Sequence, residues 1–487
     1  MTKAHYLITT FQIMKKSVYI NLLFSLFGVL ISFSSIAEGY KIQFKINGLA
    51  DTTVMLAYHF GDKQYVVDST RANAKGEGFF QGKEPLPGGI YILAPSGFSY
   101  LEFIIASDKD QKFLIETEAK DPTNKAKISG SQENTLFNDY QKFMISRQKE
   151  MIQIRSMMSL PEDNPERIAA IKKSKDLEKE AMDYENGIEK KYPNALITKI
   201  FTSLREPDVS KAPKKSNGEI DSTLMFYYFK ENYLNYVDLS DRRFLRTPIL
   251  QQKINYYTDK LTLQIPDSII AACDTIIERS RGDKEVFKYT VVSLTNKYEI
   301  SKVMGFDAIF VHLAAKYYLN GDAYWADSTL KAKISERVSK LKFNQIGSPA
   351  VSIAMWDSLD QRIGLYSLKN KYVVLYFWDP TCSHCKVETP KLKAMYDSLR
   401  VYDVEVYAVG METDPILWKQ YIREHDLNWV NVHDIYNKTN FRFFYDIYST
   451  PVVYLLDTDK KILAKRISVD TLSEMLREKL GLLSDSD

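Results

Sequence analysis

Cys382-Ser383-His384-Cys385 sets two thiols two residues apart. A dithiol at that spacing can open and close a disulfide with little chain movement, and so pass two electrons to or from a substrate. An apolar run, Tyr372 to Trp378, precedes the pair, and an amphipathic stretch, Lys386 to Leu399, follows it. The pair therefore falls where a strand becomes a helix. At that junction the first sulfur meets the positive end of the helix dipole, which stabilises a thiolate. A free cysteine titrates near about 8.5, and motifs of this kind bring it to roughly 3.5 to 7.5. Cys382 is the expected nucleophile, and His384, when charged, adds to the lowering of its pKa. Cys385, one turn deeper, is poorly placed to meet a bulky substrate but can reach the Cys382 sulfur, so it is the expected resolving thiol.

Two other uses of such a pair fit less well. Half a zinc site needs a second pair of sulfur or imidazole ligands at suitable spacing. Cys273 stands alone in the apolar stretch Ile269 to Ile277, where a buried inert thiol is expected, and His59, His312, His425 and His433 are scattered. No metal site is expected, and no cofactor beyond the redox-active Cys382-Cys385 disulfide. A permanently closed structural disulfide gains little from so small a loop.

The elements that must hold the pair follow an α/β plan from Ile346 onward. After Tyr372 to Trp378 and Lys386 to Leu399 come Val404 to Val409, Ile416 to Glu424 behind an Asp414-Pro415 start, and a hairpin of Val452 to Leu456 with Ile462 to Lys465. Upstream, residues 38–130 alternate with period two, as in Ile42, Phe44 and Ile46, between turn signals such as Asn47-Gly48 and Gly76-Glu77-Gly78. That pattern predicts an all-β sandwich of short antiparallel strands. Residues 131–343 are poor in glycine and rich in helix formers, which predicts an all-α domain. The Tyr227-Tyr228-Phe229, Tyr233 and Tyr236 cluster has helical spacing and is read as core. The domains expected are thus 38–130, 131–343 and 344–487.

The segment Phe377-Trp378-Asp379-Pro380-Thr381-Cys382-Ser383-His384-Cys385-Lys386-Val387-Glu388-Thr389-Pro390 resembles the active site of the thioredoxin fold, in its exported TlpA/ResA-like branch. The resemblance runs from about Asn344 to Leu483 and includes Ile346-Gly347-Ser348-Pro349-Ala350 at its start. The upstream regions resemble the β-sandwich and helical domains of unknown function found before such a domain in Gram-negative exported thiol-disulfide proteins. It implies a cis-proline at Pro451, opposite the sulfurs, with the Thr450 backbone free to pair with an extended substrate. It also implies that Glu388, one turn after Cys385, influences the thiols and their protons, and Pro390 is expected to kink the helix. There are two departures. Tyr376 stands where thioredoxin keeps a buried aspartate, and Thr381 stands where the family usually has tryptophan.

The resemblance implies a thiol-disulfide oxidoreductase acting on protein disulfides or dithiols, together with a redox partner protein. It pulls towards a reductant, whereas a histidine beside the second cysteine pulls towards an oxidant. Two rivals are a thiol peroxidase, for which the residues before Cys382 lack the expected threonine or serine pattern, and an envelope binding or scaffold protein with an auxiliary redox domain.

Charge adds little to partner choice. The chain has 487 residues, with 65 basic and 62 acidic side chains. Lys3, Lys15 and Lys16 lie in the first 37 residues, which hold no acidic one, so the remainder is balanced. Nothing global attracts nucleic acid or an acidic membrane. Lys15-Lys16, the apolar stretch Val18 to Phe33 and Ser35-Ile36-Ala37 have the order of a secretory leader, with cleavage expected after Ala37 and a periplasmic location without a permanent membrane anchor. With the first cysteine at Cys273, no thiol is placed to carry a lipid there.

Overall fold

The structure is a computed structural model describing residues 39–482. The leader expected over residues 1–37 lies outside them. The chain divides into two compact units, one ending at Gln252 and the other beginning at Lys253. The division falls inside the stretch read above as a single helical domain.

In the first unit the alternating residues form eight strands: β1 (Lys41–Asn47), β2 (Thr53–Phe60), β3 (Lys63–Arg71), β4 (Glu77–Gln81), β5 (Gly89–Pro95), β6 (Leu101–Ile105), β7 (Lys112–Glu118) and β8 (Lys127–Ser129). They make two four-stranded sheets, ordered β4-β1-β7-β8 and β3-β2-β5-β6. Ile42, Phe44 and Ile46 from one and Val54, Leu56 and Phe103 from the other share a single apolar cluster. The expectation of antiparallel strands throughout is corrected at one pair: β1 and β7 run parallel, from Lys41↔Lys112 to Asn47↔Glu118, so that sheet is mixed. Alternation fixes which face a side chain takes but says nothing about the direction of a distant partner strand.

Helices α1 (Pro122–Lys125), α2 (Gln132–Arg155), α3 (Pro165–Lys191), α4 (Leu196–Leu204) and α5 (Ser222–Tyr233) follow, and α6 (Ile249–Asp259) spans the division. The tyrosine cluster is corrected too. Tyr233 is buried, but Tyr227 is 50% exposed. The apolar residues Leu224 to Phe229 run consecutively round α5, and one helix face cannot bury them all.

The second unit holds α7 (Pro266–Arg279), α8 (Lys284–Glu299), α9 (Asp307–Leu313) and α10 (Ser328–Lys342). A seven-stranded sheet comes next: β9 (Ala354–Asp357), β10 (Arg362–Gly364), β11 (Tyr372–Trp378), β12 (Val404–Gly410), β13 (Val430–His433), β14 (Val452–Leu456) and β15 (Ile462–Lys465), in the order β10-β9-β13-β12-β11-β14-β15. Strand β11 pairs parallel with β12 and antiparallel with β14. Val374, Tyr376 and Trp378 pack on one face and Val373, Leu375 and Phe377 on the other, which is why β11 reads as an unbroken apolar run. Helices α11 (Ser383–Leu399), α12 (Pro415–Glu424), α13 (Phe441–Phe444) and α14 (Val469–Lys479) complete the unit. No helix among the described residues is long and apolar enough to cross a membrane.

Candidate active site

Asp379-Pro380-Thr381 turns the chain from β11 into α11. The Asp379 carboxylate accepts from the Thr381 N–H at 2.7 Å and the Thr381 hydroxyl at 2.6 Å, which tightens the turn. Cys382 is the N-cap of α11, with φ −71° and ψ 126°. Behind it, Cys385, Thr389, Leu392, Met395, Tyr396 and Leu399 form the buried stripe of α11, and the helix runs on through Pro390. Both thiols thus sit at the carboxyl end of β11, an interior strand, the usual place for chemistry in an α/β sheet.

The two sulfurs are unlike. Cys382 is partly exposed, whereas Cys385 is 1% exposed. Both are free thiols. Burial acts to raise the Cys382 pKa, but the backbone N–H groups of Cys385 and His384, the Thr450 side chain and the Cys385 thiol outweigh it, and the net shift is downward. Burial pushes Cys385 up to about 12, only partly offset by the Asp379 N–H, which donates to its sulfur at 3.4 Å. One thiol is thereby poised to ionise and the other to stay protonated.

The loop before β14 closes the site. Its Thr450–Pro451 peptide bond is cis. The Thr450 carbonyl accepts from the Cys382 thiol at 3.4 Å, so Thr450 and Cys382 are brought together. His384 is exposed and reaches Cys382 through its backbone N–H. Glu388 also makes a contact between elements. Its carboxylate accepts from the Val469 N–H at 3.2 Å and from Lys391 at 3.0 Å, anchoring the start of α14.

Beneath Cys385 the Tyr376 ring is fully buried, and its hydroxyl lies 2.9 Å from that of Thr389. Burial drives its pKa upward, so a neutral hydroxyl pair occupies the ground under the second thiol. Trp378 and Trp418 are each 1% exposed or less, and Gly410 is required there: a Cβ would lie 2.3 Å from the Trp418 Nε1. His433 is stacked on Trp418 and His425 on Tyr421. Cys273 is fully buried in α7, with its pKa pushed up to about 12 by burial.

Sequence reasoning passed over Asp379, although Asp-Pro-Thr before a helix is a readable side-chain turn. It also passed over Asp446, five residues before Pro451, whose partners are remote in the chain.

The sheet order and a dithiol at the carboxyl end of β11 define a thioredoxin-like redox protein. Comparison with known proteins agrees. Residues 346–465 match the AhpC/TSA family, and residues 40–137 and 210–344 match two domains of unknown function, DUF4369 and DUF5106. Thiol-disulfide oxidoreductase ResA of Bacillus cereus is 28% identical over 131 residues, covering 27% of this chain and 75% of the relative. A solved domain of a possible thiol-disulfide isomerase from Cytophaga hutchinsonii is 39% identical, covering 28% of this chain and 92% of that one, at a TM-score of 0.27. A thioredoxin-like protein from Bacteroides caccae is 20% identical, covering 55% and 98%, at a TM-score of 0.44. The C-terminal part is an AhpC/TSA-type thioredoxin-fold domain whose homologues are ResA-like thiol-disulfide oxidoreductases, and the chain is an enzyme of that kind.

Proposed function

We propose that the protein is exported and exchanges disulfides with protein substrates through Cys382 and Cys385. Cys382 thiolate attacks a substrate disulfide, forming a mixed disulfide as the substrate S–S bond breaks and one substrate thiolate leaves and takes up a proton. Cys385 then loses its proton and attacks the Cys382 sulfur. The mixed disulfide breaks, the second substrate thiol departs, and a Cys382–Cys385 disulfide remains. Two electrons have passed to the substrate, and a partner protein must return them. The reverse sequence oxidises a dithiol. We assign the reducing direction, towards which the TlpA/ResA-like resemblance of the active-site segment pulls.

Thr450, beside cis Pro451, would pair with the substrate backbone, and the His384 N–H would hold the Cys382 thiolate. We assign Glu388 to the Cys385 proton, acting through water. It and Cys385 both bear electrostatically on the Tyr376 hydroxyl. Export rests on the leader pattern of residues 1–37.

The observation that carries the reading is the asymmetry of the two thiols, one accessible and lowered, one buried and raised. In the full chain with Cys273→Ser, reduction of a disulfide peptide should vanish with Cys382→Ser. Cys385→Ser should accumulate mixed disulfides visible on non-reducing gels. Turnover that survives Cys385→Ser with no trapped species would overturn these roles.

A further inference from the structure

Thr450 is useful to the reaction only if its loop is held against Cys382. The loop's own residues do part of this. The Ile447 N–H donates to the Arg442 carbonyl at 2.9 Å, and the Tyr454 hydroxyl donates to the Tyr445 carbonyl at 2.8 Å.

The remaining anchor is Asp446. Its side chain is only 6% exposed, and its backbone lies in the left-handed region, at φ +51°. A buried carboxylate there needs paired charge. Arg466 supplies one donor, its Nη2 lying 3.0 Å from Oδ2 and also bonded to the Asp446 carbonyl, while its guanidinium covers the Tyr448 ring at 4.8 Å. Arg466 is itself fixed to β14, its N–H donating to the Val453 carbonyl at 2.7 Å.

The other donor comes from outside the thioredoxin-like sheet. Arg337 Nη1, on α10, reaches the same Oδ2 at 2.8 Å across 109 positions of sequence. A second strut runs beside it, where the Asn344 amide donates to the Phe444 carbonyl at 3.3 Å.

We infer that Arg337, through Asp446 and Arg466, is a positioning residue for the substrate-pairing loop, so that a helix preceding the redox domain sets how well that domain grips an extended disulfide substrate. The inference rests on the proposed roles of Cys382 and Thr450. Backbone pairing is made alike in the bound substrate and in the transition state of exchange, so loosening the loop raises KM and leaves kcat nearly unchanged.

The test uses the full-length chain with Cys273→Ser and an extended disulfide peptide as substrate. R337A should raise KM about tenfold, the scale of one charge-assisted hydrogen bond, with kcat within about twofold. R337K, which keeps a donor and the charge, should recover most of the loss, and D446N should resemble R337A. Unchanged KM in R337A, or a loss confined to kcat, or no recovery in R337K, overturns the inference. C382S separates this from failure of the underlying reading. If C382S still turns over, the assigned chemistry is wrong; if C382S is inactive and R337A is unaffected, only the clamp is wrong.

Discussion

At the scale of single residues, the proposed chemistry depends on two cysteines being pulled in opposite directions. Cys382 has its pKa lowered by backbone N–H groups at a helix start, against the opposing effect of burial, and Cys385 has its pKa raised to about 12 by burial. Only thiolate is alkylated, so iodoacetamide labelling of the reduced protein should follow a curve for Cys382 displaced below that of free cysteine, with Cys385 unlabelled through about pH 9. Equal rates at the two sites would remove the asymmetry on which the mechanism rests. Stability of the reduced protein should respond as well. The contribution of Cys382 is present above its unfolded value and lost as pH falls through its folded one. That of Cys385 is present below its unfolded value and lost as pH rises towards 12. This much was legible from sequence, because a helix start and a two-residue spacing are local features. Asp446 was not, since its charge partner Arg337 lies far upstream.

At the scale of elements, β11 and α11 were readable for the same reason: a run buried on both faces followed by an amphipathic stripe. Strand β13 escaped, because Val430-Asn431-Val432-His433 mixes polar with apolar residues over only four positions. The role of Glu388 depends on a contact between elements that α11 alone could not reveal, the bond from the Val469 N–H at the start of α14. Substitution separates anchoring from proton handling. E388A removes both the acceptor for that N–H and the carboxylate, and should cost about 1 kcal/mol in urea unfolding. E388Q keeps an acceptor and should cost less than half of that. If the carboxylate also receives the Cys385 proton, both variants should slow resolution of the mixed disulfide by roughly tenfold or more at neutral pH. Resolution at the full rate in E388Q would confine Glu388 to holding α14.

At the scale of the whole molecule, period and composition separated strands, helices and α/β pattern in order along the chain, but could not show how the last helices join the redox sheet within the second unit. That junction contains a buried ion pair. Lys465, at the end of β15, is 6% exposed, and its ammonium spends its donors on Asp307 Oδ2 at 2.5 Å and on the Asn344 carbonyl and side-chain oxygens at 2.8 and 3.0 Å. Burial lowers its pKa, with Asp307 opposing that shift. Such a pair contributes little over an apolar replacement but is costly to break on one side, because a desolvated charge is left behind. D307N should therefore destabilise the second unit by about 2 to 3 kcal/mol, somewhat under the usual buried-pair cost because Asp307 is partly open to water. K465M also breaks the pair on one side, leaving Asp307 unpaired and both Asn344 oxygens without their donor, and should cost about as much as D307N, whereas D307N combined with K465M should be no worse than K465M alone. Trp325, Trp356, Trp378, Trp418 and Trp429 are the chain's five tryptophans and all lie in the second unit, so their fluorescence in urea reports that unit by itself. A D307N midpoint indistinguishable from that of the parent would mean that solvent already screens the pair, and that the helices before the sheet are held to it by packing such as the contact between Phe343 and Phe444, whose ring centroids lie 5.1 Å apart.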